Sequence, residues 1–455
     1  MADRMLLRGG YIMTMDAELG DLRQGDVLVE GDTIGEVGAS VDAGDAEVID
    51  ATGRIVMPGF VDTHRHTWET AIRGSAPNAT LDDYFVEILD TFAPQYRAED
   101  VYASNLAGAL ECINAGITTL VDWSHINNTP DHPDAAIQGL KDAGIRAQYA
   151  YGSANTSLAD YWFESKLAIP RDDVERIRNT YFSSDDGLLT MALATRGPGF
   201  CVEEVVREEW TMARDLGIPI TLHIAMGRVA GRFGMVNMLN ELGLLGPDTT
   251  YIHCCYNSDE EWKLLADSGG TVSIAPLVEM QMGHGRPPTG KSLEHGLRPS
   301  LSIDVVTTVP GDMFSQIRAA FGSEREGVCG VAWKEDVNIP ETTVTARDML
   351  QFATLNGAHV AGVEDRTGSL VPGKKADIIL VDTTGPGVAP LIDPAAMVAL
   401  SADVSNIETV IINGEVRKRD FKLVGDWDRA RGLVENARDH LISQVPRQER
   451  WTAVG

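Results

Sequence analysis

The chain has 455 residues, 44% hydrophobic and 23% charged, the balance of a globular protein with room for one large domain and a smaller one. With 38 basic against 67 acidic side chains the net charge is −29, a surface that repels phosphate backbones and anionic bilayers, so neither nucleic acid nor membrane is an expected partner. No apolar run approaches the ~20 residues that span a bilayer, Met1-Ala-Asp-Arg-Met lacks a secretion pattern, and five cysteines without C-x-x-C spacing point to a reducing, cytoplasmic setting.

Residues 5–56 read as short strands, Met5–Leu7, Tyr11–Met13, Asp26–Glu30, Thr33–Val37 and Glu47–Asp50, broken at Gly9-Gly10 and Glu30-Gly31-Asp32. The β-rich run Ile55–Val61 follows, and beyond it strands and helices alternate. Helical periodicity is expected over Leu106–Ala115, Ala135–Ala143, Glu175–Phe182, Glu203–Leu216, Val236–Leu242 and Asp259–Asp267. Between these lie apolar strands at Thr118–Trp123, Arg146–Tyr151, Leu188–Ala194, Pro219–His223, Thr250–His253, Thr271–Ile274 and Leu301–Asp304. Eight apolar strands with helices between them predict an α/β fold, a (β/α)8 barrel. Helices are expected outside it over Met313–Phe321 and Ala346–Val360. Residues 368–416 return to β character, with a hairpin signal at Asn413-Gly414, and Trp427–Ser443 reads as a closing helix.

Barrel enzymes place their chemistry where strands end. The first strand ends in His64 and His66, whose i, i+2 spacing points both imidazoles to one side. The fifth, "IPITLHIAM", ends in His223, the sixth in His253 and the eighth in Asp304. A lone histidine after an apolar run is more often a core or rim residue. Four histidines and an aspartate, each at the end of a predicted strand, favour a metal site.

The stretch "VMPGFVDTHRHTWETAIRG" resembles the first-strand signature of the amidohydrolase superfamily, in the branch of guanine and cytosine deaminases and triazine hydrolases. The resemblance runs from about Met5 to Val416. It implies a small β-sandwich built from both chain ends, giving segments 1–56 and 366–420 for the sandwich, 57–365 for the metal-dependent barrel and 421–455 for a terminal helix and tail. It also implies that His64, His66, His223 and Asp304 hold the metal and that His253 polarises the substrate. One divalent ion is expected, zinc first and iron second, because the fourth strand, "LLTMALATR", lacks the lysine that bridges two ions in binuclear relatives.

The substrate is expected to be a small, flat aromatic or heteroaromatic molecule, and the enzyme a homo-oligomer, a dimer. Trp68, Glu69, His125, Met226 and Met280 are candidate substrate contacts, as are Tyr84, Phe85, Met282 and His284. Arg196, Arg228 or Arg232 is a candidate reader of a substrate carboxylate. The family pattern breaks after the fifth strand, where hydrolytic deaminases carry H-x-x-E and this chain has His223-Ile-Ala-Met226. After the seventh, a usual Pro-x-Ser-Asn segment is Pro276-Leu-Val-Glu279. Glu279 either replaces the lost acid, joining Asp304 and His253 as catalytic residues, or holds a loop. These departures resemble the needs of amidohydrolase-like benzoxazole synthases, so the leading expectation is cyclodehydration of an aminophenol ester or amide in secondary metabolism. The alternative is a hydrolytic deaminase or dechlorinase of an aminated heterocycle. A non-catalytic binding protein is a third, against which the retained ligand positions argue.

Overall fold

The computed structural model describes residues 4–157, 164–184, 186–341 and 344–446. Five strands open the chain: β1 (Arg4–Ile12), β2 (Leu22–Glu30), β3 (Thr33–Gly38), β4 (Glu47–Asp50) and β5 (Arg54–Pro58). The runs at Met5–Leu7 and Tyr11–Met13 are one strand, bulged where its register against β2 shifts between Arg8 and Ile12. The barrel strands are β6 (Phe60–Arg65), β7 (Ile117–Ser124), β8 (Arg146–Tyr151), β9 (Leu189–Thr195), β10 (Ile220–Ile224), β11 (Thr249–His253), β12 (Thr271–Ile274) and β13 (Ser300–Leu301). They pair in chain order, every neighbour parallel. After the barrel come β14 (Ile378–Asp382), β15 (Ile407–Ile412), β16 (Glu415–Arg419) and β17 (Lys422–Leu423).

The first five and last four strands form one nine-stranded sheet, in which β14 pairs antiparallel with β5 and so joins the two chain ends. Strand alternation explains how this sheet holds to the barrel. Ile378 and Leu380 of β14 face the sheet's own core with Met5, Leu7 and Val29, while Ile379 and Val381 belong to the main core of the barrel. Buried on both faces, β14 reads as an unbroken apolar run, and each of its aliphatic side chains stabilises by about 1.5–3 kcal/mol. The chain passes from sheet to barrel at Gly59, between β5 and β6. A Cβ there would lie 2.2 Å from the Thr118 side chain of β7, so only glycine lets the crossing run this close to β7.

The barrel closes at the rim that carries the chemistry. A bridge joins Arg65 to Asp304; the His66 N–H donates to the Asp304 carbonyl and the Asp304 N–H to the His64 carbonyl, both at 2.9 Å. Below this, the Thr63 hydroxyl meets those of Ser273 and Ser300 at 2.7 Å each.

The expected helix Ala346–Val360 is two helices, Ala346–Phe352 and Leu355–Val360. The break frees the Ala353 carbonyl to accept the Val61 N–H at 2.8 Å. The helix from Met313 runs on to Lys334. The closing helix, Trp427–Gln444, packs against the Ala98–Asn114 helix; residues past 446 lie outside the described part. Among the described residues, no helix is long and apolar enough to cross a membrane.

The largest difference from expectation is a helical cover over Leu81–Phe92, where sequence reasoning assigned nothing. Thr80 and Asp83 form a capping box, a short helix runs Leu81–Tyr84, and π-helical turns continue over Phe85–Phe92. The Leu81 N–H donates to the Met282 carbonyl at 2.9 Å, tying the cover to the loop after β12.

Candidate active site

The ends of β6, β10, β11 and the segment after β13 bring the predicted polar residues to one point. His64 Nε2 lies 3.2 Å from Asp304 Oδ1 and 3.2 Å from His223 Nε2. His66 Nε2 lies 3.3 Å from the same Asp304 oxygen, and His253 Nε2 lies 3.6 Å from Oδ2. The register of β6 against β7 shifts between Asp62 and Arg65. Arg65, between the two histidines, is buried away from the cluster against Glu111. His253 and Asp304 have φ of +74° and +69°, a region that non-glycine residues occupy mainly where surrounding structure enforces it, often at functional sites.

These residues fit a divalent cation. Donor atoms of His64, His223, His253 and Asp304 all lie within 4.8 Å of one another. That set differs from the expected one by holding His253 in place of His66, yet His66 also directs Nε2 at Asp304. Its Nδ1 sits 3.0 Å from the Trp123 carbonyl, the outer hydrogen bond typical of a ligating imidazole. Five donors therefore surround the point. Burial pushes His64 down to about 3 and His253 down to about 4, leaving both imidazoles neutral. Burial alone would raise Asp304, but hydrogen bonds from His64 and His66 outweigh it and hold the carboxyl well below its usual range. Burial opposes protonation of His66 as well, but its contact with Asp304 outweighs that and raises it; the neutral imidazoles beside an ionised carboxylate are in the state that binds a metal.

A narrow cavity, with about 20 Å³ of room for water, opens onto the cluster. His66, His223, His253 and Asp304 form its floor, with His125 and His284 beside them. Leu81, Tyr84, Phe85, Met226, Met282 and Val305 complete its walls. Most of the apolar wall thus comes from the helical cover and the β12 loop.

The predicted contacts divide. Met226 and His125 line the cavity. Trp68 lies one layer out, its ring edge-on to His125 and Tyr96. Glu69 is buried outside the cavity; its carboxylate accepts from the Tyr84 hydroxyl at 2.6 Å and the Thr307 hydroxyl at 3.1 Å, and burial raises it to about 7. It latches the cover to the barrel rim.

Arg196 does not reach the cavity. Only 2% exposed, it donates to Ser165 Oγ at 2.8 Å and to the Leu167 carbonyl, and lies 3.7 Å from the buried Glu209. Met280 is 44% exposed, because the helix Pro276–Gln281 turns it outward; Met282 takes the inner position. Glu279 stands behind His253, its Oε1 3.1 Å from Nδ1 and accepting the Ala275 N–H at 2.8 Å. Burial raises its carboxyl well above the usual range.

Sequence reasoning missed Leu81 and Val305 as wall residues. The capping-box pair Thr80 and Asp83, followed by apolar Tyr84, Ile88, Leu89 and Phe92, was the signal available for the first.

The profile of the amidohydrolase family matches residues 55–417. The chain belongs to this family. Across 98% of the chain and 100% of the relative it is 29% identical to the 5'-deoxyadenosine deaminase of Methanosarcina mazei. Its fold is similar to a triazine hydrolase from Arthrobacter aurescens, with a TM-score of 0.85 at 23% identity over 96% of this chain and 99% of that one. It is also similar to a zinc-bound adenosine deaminase from Xanthomonas campestris, with a TM-score of 0.82 at 20% identity over 96% and 98%. An amidohydrolase with deaminase and triazine hydrolase neighbours is consistent with the donor cluster and the barrel fold. These relatives lend no support to the expectation of a benzoxazole synthase.

Proposed function

We propose that the chain is a metal-dependent hydrolase that replaces an exocyclic amine on a small heteroaromatic ring by oxygen. The observation that carries this reading is the narrow, apolar-walled cavity ending on His253 and Asp304. The 5'-deoxyadenosine deaminase relationship supports it and favours an adenine-type ring. His64, His66, His223 and Asp304 are proposed to hold one divalent ion, zinc first. When bound, the ion supplies Lewis-acid polarisation.

The chain's own residues then divide the proton work. Asp304, ionised and at the cavity floor, accepts a proton from the attacking water. His253 directs Nε2 at Asp304 Oδ2, so a proton can pass between them toward the departing nitrogen. Glu279 acts through His253, holding its Nδ1 and sharing its proton as the imidazole takes one up at Nε2. The apolar walls exclude bulk water, which strengthens each of these contacts. In this arrangement Glu279 does not take the place of the missing H-x-x-E glutamate; it supports the histidine that faces the substrate.

Met226 favours a second reading, cyclodehydration of an acyl aminophenol. A thioether carries no proton, and an internal nucleophile needs less acid–base help, since intramolecular positioning alone can be worth about 7–11 kcal/mol. The two readings separate by product analysis. Purified enzyme is offered 5'-deoxyadenosine, an amino-s-triazine and a 2-aminophenyl ester side by side. The hydrolytic reading predicts ammonia and a hydroxylated ring, with faster release in Met226→Glu. Ring-closed product alone, unaccompanied by ammonia, would reject it.

A further inference from the structure

His284 is a buried polar residue of the cavity with no part in the proton transfers proposed for Asp304 and His253. It is 3% exposed and lines the cavity, its ring 4.7 Å from that of His253 at 85°. Neither ring nitrogen has a hydrogen-bond partner among the described residues. Burying an imidazole unpaired costs free energy, and native structures hold few such groups without a purpose.

The loop around it is built to hold it there. The Gly227 N–H donates to the His284 carbonyl at 2.7 Å, and the Gly285 N–H donates to the Glu279 carbonyl at 3.2 Å. Gly283 and Gly285 flank it at φ of +76° and +140°. A Cβ on Gly285 would lie 2.6 Å from Cys255 Cβ, so the loop is wedged against the residues that follow β11. The Gly227 contact also makes His284 a direct neighbour of Met226, the position where the family's H-x-x-E pattern calls for a glutamate.

We propose that His284 recognises the substrate by donating a hydrogen bond to the ring nitrogen next to the reacting carbon. This rests on the heteroaromatic reading of the cavity. A neutral imidazole offers one N–H and one lone pair, and no lysine or arginine lines the cavity among the described residues, so the partner that fits it is a neutral ring atom. Withdrawing density from that nitrogen makes the adjacent carbon more electrophilic, a contribution Met226 cannot make. Arg228, which stands in the wider outer pocket with Phe200 and Phe233, is too exposed to set this contact.

The test is binding before turnover, measured by rapid-mixing tryptophan fluorescence on the metal-loaded full chain with two probes, 5'-deoxyadenosine and its 1-deaza isostere. Wild type is expected to bind the parent on the order of tenfold more tightly than the deaza compound, the usual size of one buried hydrogen bond. His284→Leu should bring the ratio to about one, and His284→Gln, whose amide keeps an N–H, should retain part of the preference. Melting temperature and metal content report whether each variant is folded. The proposal is overturned if the ratio is the same in wild type and His284→Leu, if wild type binds neither probe, or if the glutamine variant discriminates no better than the leucine one. Ammonia release is followed separately. Discrimination that depends on His284 without ammonia would reject deamination and leave the recognition role standing.

Discussion

Glu279→Gln separates proton transfer from positioning at His253. Oε1 of Glu279 accepts from both His253 Nδ1 and the Ala275 N–H, and Oε2 has no partner among the described residues. A glutamine amide oxygen can accept the same two bonds, with its NH2 in place of Oε2. The substitution therefore preserves geometry and removes only the capacity to share a proton with the imidazole. A general acid–base contribution is typically 100- to 10,000-fold, so kcat should fall by at least about 100-fold, close to 3 kcal/mol of barrier. Fold and metal content should not change, since the glutamine amide oxygen keeps both hydrogen bonds that Oε1 accepts. The assay is initial-rate ammonia release, with metal analysis and a thermal melt on the same preparation. A kcat within threefold of wild type, with the metal retained, would show that Glu279 only holds the ring in place.

Three further outcomes follow from the same geometry. Purified protein should carry one equivalent of divalent metal, and His223→Ala or Asp304→Ala should lose most of it, measured by elemental analysis; two equivalents, or wild-type content in either variant, would contradict the cluster assignment. Arg196→Leu should leave KM within twofold while lowering stability by about 3–5 kcal/mol, the usual cost of stripping one partner from a buried ion pair, read by urea denaturation; a large change in KM would restore Arg196 as a substrate contact. Lys418 is buried and donates to the Asn114 carbonyl at 2.7 Å, and burial lowers it to about 8. A lysine depressed in the folded state binds its proton more tightly when unfolded, so its destabilising effect is complete below pH ~8 and fades toward pH ~10.4. The stability of Lys418→Met relative to wild type should therefore decline as pH rises across that interval, measured by denaturation at each pH; a flat difference would contradict it.

Strand ends made the donor cluster legible. His64, His223, His253 and Asp304 each close an apolar run, and a barrel delivers such positions to one rim whatever lies between them. Spans set by strong local pattern, such as Arg146–Tyr151, Thr271–Ile274 and Glu203–Leu216, need no tertiary information. Met280 and Met282 depend on helical phase, since a turn after β12 decides which of two neighbouring methionines faces inward. Arg196 was unreadable because its partner, Glu209, is brought to it only by the fold. The cover over Leu81–Phe92 competes with its own pattern: the capping box is plain, but Phe85–Phe92 winds as π-helical turns, which a 3.6-residue period does not describe. The break in Ala346–Val360 follows from the Val61 contact at Ala353, again a tertiary event.

The most direct test of the central claim is the fate of solvent oxygen. Wild-type enzyme is incubated with 5'-deoxyadenosine and with a 2-aminophenyl ester in water enriched in oxygen-18, and products are weighed by mass spectrometry. Hydrolytic displacement of an exocyclic amine predicts one heavy oxygen on the purine product for each ammonia released. A benzoxazole product without heavy oxygen, and an unchanged nucleoside, would contradict it.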